Sequence, residues 1–258
     1  MVRQLAVCAE MLWLDKPLEW RISRLTEMGF SVGLWNWPDW DLSNISRLGA
    51  TFTTINGYLE GRLADDAGAE LLLKSATQTI QIGKQLGVQQ YNLHGTGLGD
   101  TGLPIPHPGI NSPVMWPNAI DTLNRICDLA EAEGVVFVLE NLNLLDHPGC
   151  LFNSTRDVLS LIAAVNRPQL RMNLDLYHTQ IGEGDVIRWT RACLPFIREI
   201  QVADNPGRCE PGTGEMNWGN IAFSIREMGY NGLITMEAYA KEDPMAALMA
   251  FKNIFDYP

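Results

Sequence analysis

The chain has 258 residues, 46% of them hydrophobic and 19% charged, a composition that excludes a disordered, fibrous or disulfide-scaffold protein. This length is close to the roughly 250 residues of a (β/α)8 barrel. A formal net charge of −11 argues against a nucleic-acid binder, which needs a basic face to neutralise phosphates, and against attraction to anionic lipid.

Apolar runs of strand length recur at 5–9, 32–35, 52–55, 90–93, 135–139, 170–174, 199–202 and 233–236. Each leads into a polar or glycine-containing corner and then a helical pattern. Such alternation demands a parallel sheet, and strands buried on both faces read as continuous apolar runs, as VVFVL and GLITM do. Pro17 opens one predicted helix, which ends near Met28-Gly29-Phe30. Residues 65–86 keep apolar positions at helical spacing as far as Leu86-Gly87, Pro117 opens a helix running to Glu133-Gly134, and Ser154–Thr155 caps the next. The corners EMGF (27–30), QLGV (85–88), AEGV (132–135) and EMGY (227–230) share one design, a helix stopped by glycine before an apolar residue that feeds the next strand. Four copies favour a closed (β/α)8 TIM barrel, with 1–258 as a single domain, over an open doubly wound sheet. The Pro/Gly-rich region 95–116 is too long for an ordinary loop and is predicted to form a lid or wall over the strand ends.

Cys8, Cys127, Cys150, Cys193 and Cys209 are scattered with no C-x-x-C pair, as expected of reduced thiols. The opening MVRQLAVCAEMLWLDKP meets Glu10 and Asp15 too soon for a secretion signal. No stretch approaches 18 apolar residues. The expectation is a cytoplasmic protein without a membrane span.

In a barrel of this type, side chains at the C-terminal strand ends face the site. Glu140 ends VVFVLE, Asp175 ends LRMNLD, Gln201 lies late in REIQVAD and Glu237 ends LITME. Strands 5, 6, 7 and 8 would thus each bring one oxygen ligand to the same place. Carboxylates that close apolar strands are costly unless paired or bound to metal. Taken singly, each could instead cap the next helix or pair with an arginine. Three carboxylates and an amide together suit one divalent cation, Mg²⁺ or Mn²⁺, better than a structural zinc. His178, three residues after Asp175, is a candidate to bind a substrate oxygen or donate a proton. His94, ending YNLH, is a weaker candidate, His107 reads as structural, and His147 is expected in a loop or in solvent.

The segment 201–215, QVADNPGRCEPGTGE, followed by Asn217-Trp218, closely resembles the strand-7 signature of hydroxypyruvate isomerase-like proteins of the xylose isomerase-like barrel superfamily. LENLNLLDHPG (139–149) and NLDLYHTQ (173–180) look like that family's strand-5 and strand-6 motifs, in matching order and spacing. The resemblance implies a divalent metal held by Glu140, Asp175, Gln201 and Glu237, with Glu140 and Glu237 as the acid–base pair on opposite faces of an enediolate. It implies that Arg208 binds substrate and His178 orients it, and that Asn143 and Asp146 are pocket positions. The implied reaction is the isomerisation of a small hydroxy-keto acid or keto sugar, hydroxypyruvate to tartronate semialdehyde in the named family. A homo-oligomer is an expectation carried by the resemblance alone. Gly212 and Gly214 would let the loop after strand 7 approach the ligand.

The first hundred residues match that family loosely. Gly33 stands where it commonly has a glutamate, and the 95–116 loop has no counterpart. Trp13, Trp35, Trp37, Trp40 and Trp116 near those strand ends suggest an aromatic wall and a substrate larger than a three-carbon acid, with ordinary packing as the alternative. Two further enzymes could use the same metal and glutamates, a keto-sugar 3-epimerase and a lyase acting on a 3-keto-glycoside. An abasic-site endonuclease needs a histidine-rich multi-metal centre and a basic face, against four histidines and a charge of −11. A non-enzymatic sugar binder would not require four ligand positions.

Overall fold

The helix-ending corners build the fold. In the computed structural model, which describes residues 4–107 and 114–256, Gly29, Gly87, Gly134 and Gly229 all adopt positive φ, between +69° and +84°. In each corner the residue after the glycine donates its N–H five residues back: Phe30 to Leu25, Val88 to Gly83, Val135 to Ala130 and Tyr230 to Ile225. This double-bonded stop turns the chain sharply and delivers it into a strand.

Eight strands follow: β1 (Leu5–Cys8), β2 (Ser31–Leu34), β3 (Phe52–Asn56), β4 (Gln90–Leu93), β5 (Val136–Glu140), β6 (Leu170–Asp175), β7 (Ile197–Val202) and β8 (Leu233–Met236). Each pairs in parallel with the next, and β1 pairs with β8 through Leu5–Ile234, Ala6–Thr235 and Val7–Met236. The sheet is closed, not open. Outside it lie α1 (Leu18–Glu27), α2 (Leu42–Ile45), α3 (Asp66–Gln85), α4 (Met115–Glu133), α5 (Thr155–Val165), α6 (Leu176–Gly182), α7 (Val186–Cys193), α8 (Trp218–Glu227) and α9 (Pro244–Phe255). Ser154 caps α5 through Asp157 N, as its position before an apolar-periodic run predicts. α4 begins two residues before Pro117, which sits in the first turn, where a missing N–H costs nothing.

The core lies between strands and helices, with Leu72, Ile80, Leu123, Phe137, Leu161 and Phe251 fully buried. Inside the barrel a polar layer crosses the axis. Glu199 accepts hydrogen bonds from Thr54 Oγ1 at 2.6 Å, from Thr235 Oγ1 and from Gln90 Nε2. Burial pushes its carboxyl up to about 6. This layer forms the floor on which the cavity at the C-terminal strand ends rests. No helix among the described residues is long and apolar enough to cross a membrane.

Candidate active site

The C-terminal strand ends surround a partly open cavity lined by Glu140, Gln201, Glu237, His94, His178 and Arg208 together with residues of β1–β3. Glu140, Asp175, Gln201 and Glu237 are all buried. Glu140, Asp175 and His178 each place a ligand atom within 4.8 Å of the others.

Asp175 has two jobs, one for each oxygen. Its Oδ1 caps α6 by accepting from Tyr177 N at 2.7 Å and His178 N at 3.3 Å. Its Oδ2 faces the site, 3.3 Å from Arg208 Nη2 and 3.5 Å from His178 Nε2. Arg208 Nη2 also donates to Glu237 Oε2 at 2.6 Å, and its guanidinium lies over the Tyr177 ring at 5.0 Å. One guanidinium thus bonds two buried carboxylates, with the charge of Glu140 also acting on it. Burial pushes Asp175 up to about 7 against the pull of Arg208. Burial likewise drives Glu237 well above the carboxylate range, with Arg208 opposing and Glu140 and Asp175 adding repulsion. At Glu140 burial also raises the carboxyl, but the charge and hydrogen bond of His94, with Asn92 and Arg208, more than offset it and hold it below the usual value.

Gln201 Oε1 is buried and has no hydrogen-bond partner. An unpartnered buried amide oxygen beside carboxylates short of positive charge fits a divalent cation, for which oxygen donors are the natural ligands. Glu140, Asp175, Gln201 and Glu237 can supply those oxygens, with His178 Nε2 close by.

His178 is held from behind. Asn143 Oδ1 accepts from Leu145 N and Asp146 N, both at 2.9 Å, so its amide can only donate from Nδ2. That Nδ2 lies 2.6 Å from His178 Nδ1 and 3.0 Å from Asp146 Oδ2. The ring faces a donor on both sides, since Arg208 Nη1 lies 3.3 Å from Nε2, but the far shorter contact is at Nδ1. Nδ1 therefore accepts, and the neutral ring carries its proton on Nε2, 3.5 Å from Asp175 Oδ2. Burial, then the charge of Arg208, drives His178 well below its ordinary value. Asn143 and Asp146 thus stand behind His178 and not on the cavity wall.

His94 Nε2 lies 3.2 Å from Glu140 Oε2, and Tyr58 Oη lies 3.5 Å from its Nδ1. His147, expected in a loop or in solvent, is in a loop but lines the cavity, its ring 5.3 Å from that of His178. His107 sits against Asp65, 3.4 Å away. Of the five tryptophans only Trp35 lines the cavity. Trp37 and Trp40 donate to Asn56 O and Glu10 Oε1, while Trp13 and Trp116 pack edge-on against Trp20 and Phe152. The loop after β4 supplies a wall through Gly102, Leu103 and Pro104; its residues 108–113 lie outside the described part. Gly212 and Gly214 are not on the wall. Gly212 N donates to Asp204 Oδ2, and a Cβ at 214 would meet Asn205 O at 2.3 Å, so these glycines fold the loop back onto Asp204 instead of toward a ligand.

Several supporting residues escaped the sequence reading. Asn141 bonds both backbone groups of Asp175, accepting from its N and donating to its O. Asn92 Nδ2 and Asn173 Nδ2 donate to Glu140 Oε2. Glu10 accepts from Trp35 N, Asn36 N and Trp40 Nε1. The signal that could have found the asparagines is a spacing of two, as in Gln90/Asn92/His94 and Asn173/Asp175. In a strand that spacing puts polar side chains on one face.

Residues 42–253 match the family described as xylose isomerase-like TIM barrel. The chain is 32% identical to hydroxypyruvate isomerase of Escherichia coli K12 over 129 residues, 50% of each protein. It is equally 32% identical to 2-oxo-tetronate isomerase of Cupriavidus necator, again over 129 residues and 50% of each. The chain therefore spans about half the length of these curated relatives. A crystal structure described as an AP endonuclease, family 2, from Brucella melitensis superposes with a TM-score of 0.84 at 22% identity, covering 97% of this chain and 98% of that one. At that identity the likeness speaks for the fold alone. With a closed eight-stranded barrel and a family match running from α2 into α9, the chain belongs to the xylose isomerase-like TIM barrel family.

Proposed function

We propose that this chain is a metal-assisted isomerase that moves a proton between adjacent carbons of a small hydroxy-keto acid or keto sugar. The observation that carries this reading is the pair of buried glutamates, Glu140 and Glu237, at the ends of β5 and β8, with Arg208 and His178 beside them. Removing a carbon-bound proton and returning it to the neighbouring carbon needs one group on each side of the substrate. Strands 5 and 8 stand well apart around the barrel mouth and meet that need. Matches to two isomerases of short oxygenated acids support the same class of chemistry.

Glu140, Asp175, Gln201 and Glu237 would hold the cation, Mg²⁺ or Mn²⁺ by the hardness of their oxygens. When bound, it would supply positive charge against the negative charge that develops on the substrate oxygens. The protein's own groups do the rest. Arg208 presents a fork that matches a carboxylate or a pair of substrate oxygens. His178 offers a proton from Nε2 to a substrate oxygen. Glu140 and Glu237 take and return the carbon proton. The same set would serve a 3-epimerase or a lyase on a 3-keto-glycoside, and the product tells them apart.

The test is exchange from D2O, with Mn²⁺ and a panel of hydroxypyruvate, short keto acids and ketoses, for wild type and Glu237→Gln. The expected result is cation-dependent deuterium incorporation beside the carbonyl, reduced about 10²–10⁴-fold in the variant, the range for loss of a general acid–base group. Exchange that persists in the variant, or no exchange with any member, would overturn the proposal.

A further inference from the structure

The cavity has two unlike halves. Apart from the Cys8 thiol, every ionisable side chain on its wall comes from the β4–β8 side: His94, Glu140, His147, His178, Glu199, Arg208 and Glu237. The β1–β3 side and the segment 102–104 contribute no charged group. There the wall is mostly apolar, with Leu34, Trp35, Ile55, Leu103 and Pro104 beside the uncharged Thr54 and Asn56, and Gly33 lies among them.

Gly33 leaves room that its backbone does not require. It lacks the positive φ that favours glycine, and a Cβ built on it would meet only Thr235 Cγ2 and Thr54 O, both at 3.9 Å. A side chain would fit at this position, so its absence gives volume to the cavity.

The wall above this niche is built firmly. The buried Glu10 carboxylate accepts from Trp35 N and, at 2.9 Å each, from Asn36 N and Trp40 Nε1, which fixes the segment carrying Trp35. Asn56 Nδ2 donates to Gly102 O at 3.2 Å, which fixes the facing loop. The two segments meet where a Cβ on Gly102 would lie 3.0 Å from Asn36 Oδ1. A preformed uncharged wall opposite a charged one suits a ligand whose far end is uncharged, and an indole face can cover the C–H face of a polyhydroxylated chain.

We propose that Gly33 and Trp35 form a specificity-determining subsite for the uncharged far end of a ketopentose or ketohexose, while its reacting end lies among Glu140, His178, Arg208 and Glu237. This rests on the proton-transfer reading, and it places the preferred substrate above three carbons. A three-carbon acid would engage only the charged half.

Wild type, Gly33→Ala, Gly33→Val and Trp35→Ala, each checked for folding by its melting temperature, are compared with Mn²⁺ in D2O. The probes are hydroxypyruvate against D-ribulose, D-xylulose, D-fructose and D-tagatose, with ketose binding also measured by calorimetry. For wild type, kcat/KM for the best ketose should exceed that for hydroxypyruvate at least tenfold. That ratio should fall slightly in Gly33→Ala and at least tenfold in Gly33→Val, while Trp35→Ala should raise the ketose KM at least fivefold with a smaller change in kcat. A wild-type preference for hydroxypyruvate would overturn the subsite and leave proton transfer standing. Equal losses for both substrate classes in Gly33→Val would overturn it too, as a structural effect. If nothing exchanges, calorimetry decides: ketose binding lost in Gly33→Val keeps the subsite while the chemistry falls, and no binding ends both.

Discussion

Asn143 never touches the cavity, yet the proton on His178 depends on it. Two backbone N–H groups fix its amide, and the amide fixes the tautomer. Asn143→Asp keeps the shape but offers an acceptor where Nδ1 now finds a donor, so the ring proton should move to Nδ1 and leave Nε2 bare toward the carboxylates. Outer partners of this kind typically carry about 10–100-fold in activity, and kcat/KM for exchange should fall by that much in Asn143→Asp. The ring ¹⁵N shifts of His178 should change from the Nε2–H to the Nδ1–H pattern. Unchanged shifts would show that the amide does not set the tautomer. At this scale the sequence was readable where a polar residue closes an apolar strand, as at Glu140, Asp175 and Glu237. It was opaque where a polar residue serves another residue: Asn141, Asn92 and Asn173 look like isolated amides until the barrel brings Asp175 and Glu140 beside them.

The glycine corners separate two reasons for glycine. Gly87 sits at φ +72° with nothing within 4 Å of a built Cβ, so Gly87→Ala suffers only the left-handed strain, about 1 kcal/mol. For a chain of this size that is a fall of about 2–4 °C in Tm. Gly83, four residues earlier and inside α3, has ordinary helical backbone, and alanine there would improve helix propensity. But its Cβ would lie 2.3 Å from Tyr91 Oη and 2.6–2.7 Å from the ring, so Gly83→Ala should lower Tm more than Gly87→Ala. Differential scanning calorimetry gives the order, and the reverse order would refute this packing account. The same corners explain why the elements were legible. A double-bonded glycine stop is a local device, written in four residues, and β4 and β8 run over the very residues expected of them. α2 and the 3₁₀ turn at Trp37–Asp39 were not foreseen. They are only four and three residues long, and the contact that orients this connection is Glu10, more than twenty residues away.

On the scale of the whole molecule, a chain of net charge −11 buries Glu140, Asp175 and Glu237 at one end of its barrel with Arg208 as the guanidinium that contacts two of them. This is where folding and function oppose each other, because uncompensated buried charge costs stability and the chemistry needs the oxygens. Arg208 spans Glu237 and Asp175, two groups that the cation would also use. Arg208→Ala should therefore destabilise the protein by about 3–5 kcal/mol, the usual result of removing one partner from a buried pair. The cation should then recover more stability in the variant than in wild type, since in wild type it must compete with the guanidinium, and binding to the folded state raises stability by mass action. The measurement is Tm with excess chelator and again with Mn²⁺ in steps, for both proteins. A steeper rise for Arg208→Ala supports a shared site for guanidinium and cation. Equal slopes would mean that the cation binds without touching Glu237 and Asp175, and the ligand set proposed here would have to be redrawn around Glu140, Gln201 and His178.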